Sequence, residues 1–166
     1  MKPNQPTNWI QHEGELFRLL VEYVQDYAIF VVDPQGRVQS WNHGAERLLG
    51  FRADEIIGQP AAVFFTPEDI EADVPRKEME QALKGGRGDD DRWHVRKDGS
   101  LFWSGGTMTP LWDRDTLRGF AKIMRDRTEW KRSEDERASI RSDAERRQRL
   151  YEAALSNTPD LVYTSW

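Results

Sequence analysis

Two hairpin turns, one in each half of the chain, constrain the fold more than any other feature of this sequence. The first spans residues 33–36, with Pro34 at the second position and Gly36 at the fourth, as type I turns favour. The second is built around Asp98 and Gly99, a pair typical of tight hairpins. Because strand-forming residues flank both turns, the sequence predicts two antiparallel strand pairs.

The predicted strands and helices indicate an α+β fold. Gly105 and Gly106 interrupt the longest predicted strand, which indicates either a β-bulge or the close approach of another group. Between the hairpins, Thr66 and Pro67 mark a helix start, and glycines separate several short helices. Strands in two groups with helices between them predict one antiparallel sheet with helices over one face. The five predicted strands are residues 27–33, 37–41, 93–96, 101–112 and 117–124.

Two more helices are predicted outside the sheet. Near the N-terminus, Leu16, Leu19, Leu20 and Tyr23 recur at helical spacing, and this face is broad enough to pack on the sheet or on a second copy of the chain. Residues 125–149 mix nine basic with seven acidic side chains, which is typical of a solvated helix with many ion pairs. The net charge of −5 argues against a nucleic-acid interface.

The composition excludes several kinds of chemistry. The chain has no cysteine, which excludes disulfides, cysteine-ligated metals, thiol nucleophiles and photochemistry through a cysteinyl adduct. His12, His43 and His94 have no metal-ligand spacing, so we expect surface or capping roles for them. No apolar run reaches the roughly 20 residues that a membrane span needs. We therefore predict no catalytic residue and no metal site in this chain.

Five segments of the sequence, taken in order, resemble the PAS domain family, in particular its S-box type. The resemblance extends from about residue 17 to residue 128. It implies a five-stranded antiparallel sheet in the order 2-1-5-4-3, with short helices around a central pocket. An N-terminal amphipathic helix and a long C-terminal linker helix complete the expected α+β fold. The segments that carry the resemblance are 33–42, 45–51, 55–58, 96–103 and 119–126.

The resemblance also implies a central ligand pocket. Its candidate lining is mostly apolar, with two polar anchors, and it either fills the core or surrounds a small apolar or planar ligand. We predict no cofactor: haem-binding members usually carry a histidine on the long helix, here residues 75–84, which has none. A noncovalent flavin stays an alternative. The candidate residues are Phe30, Val32, Asn42, Leu48, Ile56, Phe64, Phe65, Met79, Leu83, Thr107, Met108, Phe120 and Ile123.

A further motif of the family is an Asp-x-Thr that closes the last strand and passes the signal to the following helix. In this sequence it matches Asp126 and Thr128. A carboxylate and a hydroxyl at a strand-to-helix junction can bind a nearby cation and cap the helix. The resemblance therefore assigns these two residues to signal transmission.

The domain organisation follows from the same resemblance. We expect a flexible arm at 1–12, a PAS domain at 13–128 and a signalling helix at 129–155. Residues 149–166 resemble residues 16–31, so we expect 156–166 to begin a truncated second PAS domain.

The predicted function is that of a sensory and dimerisation module in a bacterial signalling receptor. We expect a cytoplasmic homodimer formed through the N-terminal and C-terminal helices, with no nucleic acid and no membrane segment in this chain. The effector would lie in the same polypeptide. It would be a two-component histidine kinase feeding a phosphorelay or, less commonly, a diguanylate cyclase. The alternatives are a redox sensor that holds a flavin or small ligand, and a protein-interaction spacer.

Overall fold

The computed structural model describes residues 13–157, which form two units. One unit ends at Arg127, and the second begins at Thr128. The helices of the first unit are α1 (Glu13–Tyr23), α2 (His43–Leu49), α3 (Ala53–Ile56), a 3₁₀ helix (Ala61–Phe64), α4 (Pro67–Glu71) and α5 (Val74–Gly85). Its strands are β1 (Ala28–Val32), β2 (Gly88–Asp89), β3 (Arg92–Val95), β4 (Leu101–Asp113) and β5 (Thr116–Asp126).

The strands form one antiparallel sheet in the order β1-β5-β4-β2, with β3 also paired to β4. The predicted second strand, residues 37–41, lies beside β1 but forms only one bridge with it, between Val38 and Val32, and a second bridge from Arg37 to Pro60. Gln39 and Ser40 both donate their backbone N–H to the Val31 carbonyl, so the regular ladder does not continue. The predicted α+β fold and strand order are thus confirmed, and the two-residue strand β2 is an addition at the far edge.

One face of the sheet carries the core because side chains alternate along each strand. β1 and β5 pair Phe30 with Lys122 and Val32 with Phe120, and all four side chains are buried. The helices cover this inner face. Ile123, one residue along β5, is 43% exposed on the opposite face.

Local capping signals fix the helix ends where the sequence predicts them. Gly50 ends α2 in the left-handed conformation, with φ of 81°. Thr66 caps α4 by accepting a hydrogen bond from the Asp69 N–H at 3.3 Å, and Pro67 occupies the first turn. Such caps need only neighbouring residues, so they can be read directly from the sequence.

Helix α1 is held at its C-terminal end, and its apolar face does not pack on the sheet. The Asn42 amide donates to the Val21 and Val24 carbonyls, and the rings of Tyr23 and His43 lie 5.4 Å apart. Leu20 is nevertheless 56% exposed. The expectation that this face packs on the sheet is therefore wrong, and packing on a second copy of the chain stays a prediction.

At the two adjacent glycines of β4 another side chain approaches the strand closely, and the strand has no β-bulge there. β4 pairs continuously with β5 through Gly105 and Gly106, and the register irregularity lies between Leu111 and Trp112. A Cβ on Gly105 would lie 2.4 Å from Cδ of Arg127. Glycine at this position leaves room for the arginine side chain to cross the strand.

The second unit contains α6 (Thr128–Ser156), a helix of 29 residues. None of its side chains is buried. Ion pairs between neighbouring turns, such as Lys131 with Asp135 at 2.8 Å, stabilise it modestly. The helix is therefore the solvated, charge-laced segment that the sequence predicts. Among the described residues, no helix has the length and apolarity to cross a membrane.

Candidate functional site

A cavity of about 240 Å³ lies between the inner face of the sheet and the helices. Most of its wall is apolar, but Glu78 of α5 also contributes to it. Sites for drug-sized ligands usually occupy about 300–1,000 Å³, so this cavity suits a ligand smaller than a flavin. The wall is formed by Val32, Gln35, Gly36, Pro60, Ala61, Ala62, Phe65, Ile70, Asp73, Pro75, Arg76, Glu78, Met79 and Met108.

Through Glu78 this wall adjoins a cluster of four buried ionisable side chains, three from α5, β3 and β5 and one from the loop between β2 and β3. We call it the buried charge cluster: Glu78, Asp90, His94 and Lys122. None is more than 2% exposed. The Lys122 ammonium donates to Oε1 of Glu78 and to Oδ2 of Asp90, the latter at 2.8 Å. Removing charges from water is costly unless they are paired, and here each carboxylate has a cation beside it.

His94 connects the cluster to the aromatic core. Its Nε2 lies 2.8 Å from Oδ2 of Asp90, and its Nδ1 lies 2.9 Å from the Phe64 carbonyl oxygen. Both ring nitrogens thus lie within hydrogen-bond distance of an oxygen atom, one of a carboxylate and one of a backbone carbonyl. The ring also packs edge-on against Phe65, with centroids 4.7 Å apart. The expectation of a surface or capping role for His94 is therefore wrong.

The surroundings shift the pKa values of the two buried carboxyls in opposite directions. Burial raises the pKa of Glu78, although Lys122 opposes the shift. Burial alone would also raise the pKa of Asp90, but the charge of Lys122 and the hydrogen bond from His94 hold it well below its usual range. Arg92 adds a further donor, with its Nε 2.9 Å from Oδ1 of Asp90. Asp90 is thus the firmly ionised centre of the cluster, and Glu78 is its weakly satisfied member.

Glu78 is also incompletely hydrogen-bonded. Its Oε2 is buried and has no hydrogen-bond partner. A buried acceptor left without a donor costs about 1–3 kcal/mol. This carboxylate oxygen therefore has an unused capacity to bind a donor at the wall of the cavity.

Four of the thirteen predicted pocket residues line the cavity. They are Val32, Phe65, Met79 and Met108. Another group fills the core and does not line this cavity: Phe30, Ile56, Phe64 and Phe120 are each 1% exposed, and Leu48 packs against them. The interior is therefore partly filled and partly open, and a small ligand in the open part stays a prediction.

The other predicted pocket residues lie elsewhere. Thr107 and Ile123 line a hollow that also contains Tyr27 and Arg125, because the alternation of β4 and β5 turns them away from the core. Leu83 is 43% exposed, on the outward side of α5. Asn42 is buried, but it caps α2 by accepting from the Ala45 N–H at 2.8 Å.

Asp126 lies at the end of β5, as the motif predicts. Its Oδ2 accepts a hydrogen bond from the Arg96 guanidinium at 2.6 Å, so the carboxylate does bind a cation from the neighbouring hairpin. Thr128 is the first residue of α6. The motif therefore stands at the boundary between the two units, and its role in transmission stays a prediction.

Sequence reasoning missed the charged members of the buried cluster. For Lys122 a signal exists: it lies two residues from both Phe120 and Met124, so strand alternation places all three on one face. The partners of Lys122 come from distant parts of the chain and leave no local signal. Across residues 13–157, no group of three acidic or histidine side chains is arranged to hold a metal ion.

The comparisons with known proteins agree with this architecture. The family profile described as PAS domain matches residues 26–129. A stretch of 121 residues is 40% identical to Two-component system protein A of Emericella nidulans, covering 73% of this chain and 18% of that protein. A stretch of 126 residues is 30% identical to the Cell-division control histidine kinase PdhS of Brucella ovis, covering 71% of this chain and 11% of that protein. The chain thus spans less than a fifth of these relatives.

Solved structures give the same fold. A PAS domain from Colwellia psychrerythraea is 27% identical, with a TM-score of 0.65 over 70% of this chain and 98% of that one. A PAS domain from a two-component sensor histidine kinase is 13% identical, with a TM-score of 0.60 over 71% of this chain and 99% of that one. The profile match covers more than half of the sequence, and the sheet order is the one that the motifs predict. The chain therefore belongs to the PAS domain family.

Proposed function

We propose that this chain is the sensory and dimerisation module of a larger two-component signalling protein, and that it passes its signal through α6. The observation that carries the proposal is the course of β5. Lys122 of this strand binds Glu78, a residue of the cavity wall, and the same strand ends at Asp126, two residues before Thr128 begins α6. A change at the cavity therefore has a short covalent route to the helix.

The relatives support a role in two-component signalling. Both named relatives are signalling proteins, and one is a histidine kinase. The effector would lie elsewhere in the polypeptide, because this chain is comparable to only a small part of each relative. We infer a cytoplasmic location for the module. The boundaries at 13–128 and 129–155 remain part of this proposal, and the arm at 1–12 and most of the second PAS start at 156–166 lie outside the described residues.

Dimerisation through α1 and α6 is the second part of the proposal. Leu20 and Tyr23 of α1 are more than half exposed, and so are Ile140 and Tyr151 of α6. Along α6 the heptad seam mixes residues that suit a coiled-coil core with polar ones that do not, which is typical of a weak coiled coil that can change register. The seam consists of Trp130, Ser133, Arg137, Ile140, Ala144, Arg147, Tyr151 and Ala154.

The dimer dissociation constant tests the seam. Changing Arg137 and Arg147 to Leu places two more apolar residues in it, and we expect the dissociation constant in sedimentation to fall by about tenfold or more, equivalent to about 1.4 kcal/mol. The matched control changes Arg132 and Arg146 to Leu, and so removes the same charge at positions outside the seam. Equal behaviour of the two double variants would show that the helices do not meet along these positions.

The kinase activity of the full-length receptor tests whether the signal passes from β5 into α6. Asp126→Asn keeps the size of the side chain but weakens its ion pair with Arg96, and we expect it to change kinase activity with little change in folding. The exposed pair of Arg52 and Asp54 provides the control, because Asp54→Asn weakens an ion pair in which neither residue adjoins Asp126 or Arg96 in sequence. Kinase activity that responds equally to both changes would contradict a specific role for the junction.

A further inference from the structure

The cavity beside Glu78 combines an apolar wall with one incompletely satisfied carboxylate. Val32, Met79 and Met108 supply apolar surface, and Glu78 is 2% exposed. The other charged wall residues, Asp73 and Arg76, are half exposed and pair with each other at 2.5 Å. Glu78 is therefore the one wall residue, among those described, that is buried and has a carboxylate oxygen without a hydrogen-bond partner.

The charge balance of the buried cluster limits what can bind there. Lys122 already neutralises Glu78, and Asp90 is bound by His94, Lys122 and Arg92. A ligand cation would bring an additional uncompensated charge into an apolar space, and a ligand carboxylate would repel Glu78. Both carry a large desolvation cost. The cavity therefore favours an uncharged ligand.

The unpartnered oxygen of Glu78 specifies the polar group of that ligand. If Glu78 is ionised, Oε2 needs a donor, and if it is protonated the new O–H needs an acceptor. A hydroxyl can be both donor and acceptor, so it satisfies Glu78 in either state. The terminal torsion of glutamate is broad, so its free oxygen can turn toward the cavity without a shift of α5.

We propose that this cavity binds a small uncharged alcohol or phenol, with its apolar body among Val32, Met79 and Met108 and its hydroxyl bonded to Glu78. The volume of about 240 Å³ suits a ligand of roughly ten non-hydrogen atoms, since a 150 Å³ cavity holds benzene. This inference deepens the proposed sensory function and rests on it. Binding at Glu78 would also alter the carboxylate that holds Lys122 of β5.

Binding to the purified chain tests the proposal with ligands of matched shape. Benzyl alcohol, toluene, benzylamine and benzoate differ mainly in the polar group. Titrations followed by the methyl signals of Met79 and Met108 give the dissociation constants. We expect benzyl alcohol to bind about three- to tenfold more tightly than toluene, and the charged pair to bind more weakly than the alcohol.

Glu78→Met removes the carboxylate at similar volume and should abolish the preference for the alcohol over toluene. If this variant unfolds, the double change with Lys122→Met provides an apolar pair in its place. The control Glu55→Gln removes an exposed carboxylate charge outside the cavity and should leave the preference intact. The proposal fails if toluene binds as well as the alcohol, if the preference survives loss of Glu78, or if no probe binds. Because the assay needs neither dimer nor kinase, its failure is distinguishable from failure of the transmission tests.

Discussion

Replacing Lys122 by Met tests whether the buried charge cluster stabilises the fold. Asp90 would keep His94 and Arg92 as partners, but Glu78 would lose the one hydrogen bond that the structure gives its carboxylate. Breaking a buried pair in this way costs about 3–5 kcal/mol. Glu78 can limit the cost by taking up a proton. From its ordinary pKa of 4.5, protonation at pH 7 costs about 3.4 kcal/mol.

This mechanism makes the loss of stability depend on pH. The cost of protonating Glu78 falls by about 1.4 kcal/mol for each unit by which the pH is lowered toward 4.5. For a domain of this size, 1 kcal/mol corresponds to roughly 4 °C in Tm. Chemical and thermal unfolding should therefore show a loss of about 12–20 °C for Lys122→Met at pH 7 and a clearly smaller loss at pH 5.

A second variant separates the lost pairing from the lost packing. Changing Glu78 and Lys122 together to Met replaces the pair by apolar side chains, which is often neutral or stabilising, so most of the stability should return. The surface pair of Lys97 and Glu55, 2.6 Å apart and 46% and 40% exposed, provides the control. Lys97→Met should cost no more than about 1 kcal/mol. A loss for Lys122→Met that is equally small, independent of pH and not reversed in the double variant would refute the reasoning.

Three further changes have defined outcomes. Asn42→Asp keeps the acceptor for the Ile29 and Ala45 N–H groups but removes an amide that donates to three carbonyls, so denaturation should show a loss of about 2–4 kcal/mol. Gly119→Ala should prevent stable folding in the same assay, because φ is 145° and the new Cβ would lie 2.2 Å from the Val32 oxygen. The Tm of Glu78→Gln relative to that of the wild type should increase as the pH is raised from 4 to 8. The raised pKa of Glu78 means that the wild type alone loses stability as the pH rises past 4.5.

The features that the sequence predicts well are the local ones. The turn at 33–36, the caps at Thr66 and Gly50 and the helix bounds all depend on residues within a few positions of each other. The segment 37–41 is a partial exception, because its pairing with β1 depends on how the chain continues into α2. The predicted fold is therefore confirmed in type and strand order, with one predicted strand reduced to isolated bridges.

The residues of the candidate pocket are predicted less accurately, because they are selected for hydrophobicity and not for the alternation of side chains along each strand. Phe120 and Ile123 cannot share a face of a strand, since they are three residues apart. Phe120 and Lys122 can, and the structure places both inside. A lysine in an apolar core is rarely expected because it needs a partner there. That partner, Glu78, lies 44 positions earlier in the chain and could not be recognised from the sequence alone.

His94 illustrates the same limit from another side. It stands opposite Phe102 in the β3–β4 register, so both side chains point into the core once the hairpin forms. Its two oxygen partners come from the carbonyl of Phe64, thirty residues earlier, and from the carboxylate of Asp90. The periodicity of the strand could have indicated its burial, but only the tertiary structure supplies the acceptors that make a buried histidine favourable.

The buried charge cluster also explains how β5 keeps its register beside two neighbouring strands. A slip of one residue would move Lys122 to the outer face and Ile123 to the core. Glu78 and Asp90 would then remain buried without the ammonium that binds both, at a cost of several kcal/mol. A purely apolar inner face would distinguish these registers less sharply, because Ile123 could pack where Lys122 now lies. The cluster therefore fixes the position of the strand that leads to Asp126 and into α6.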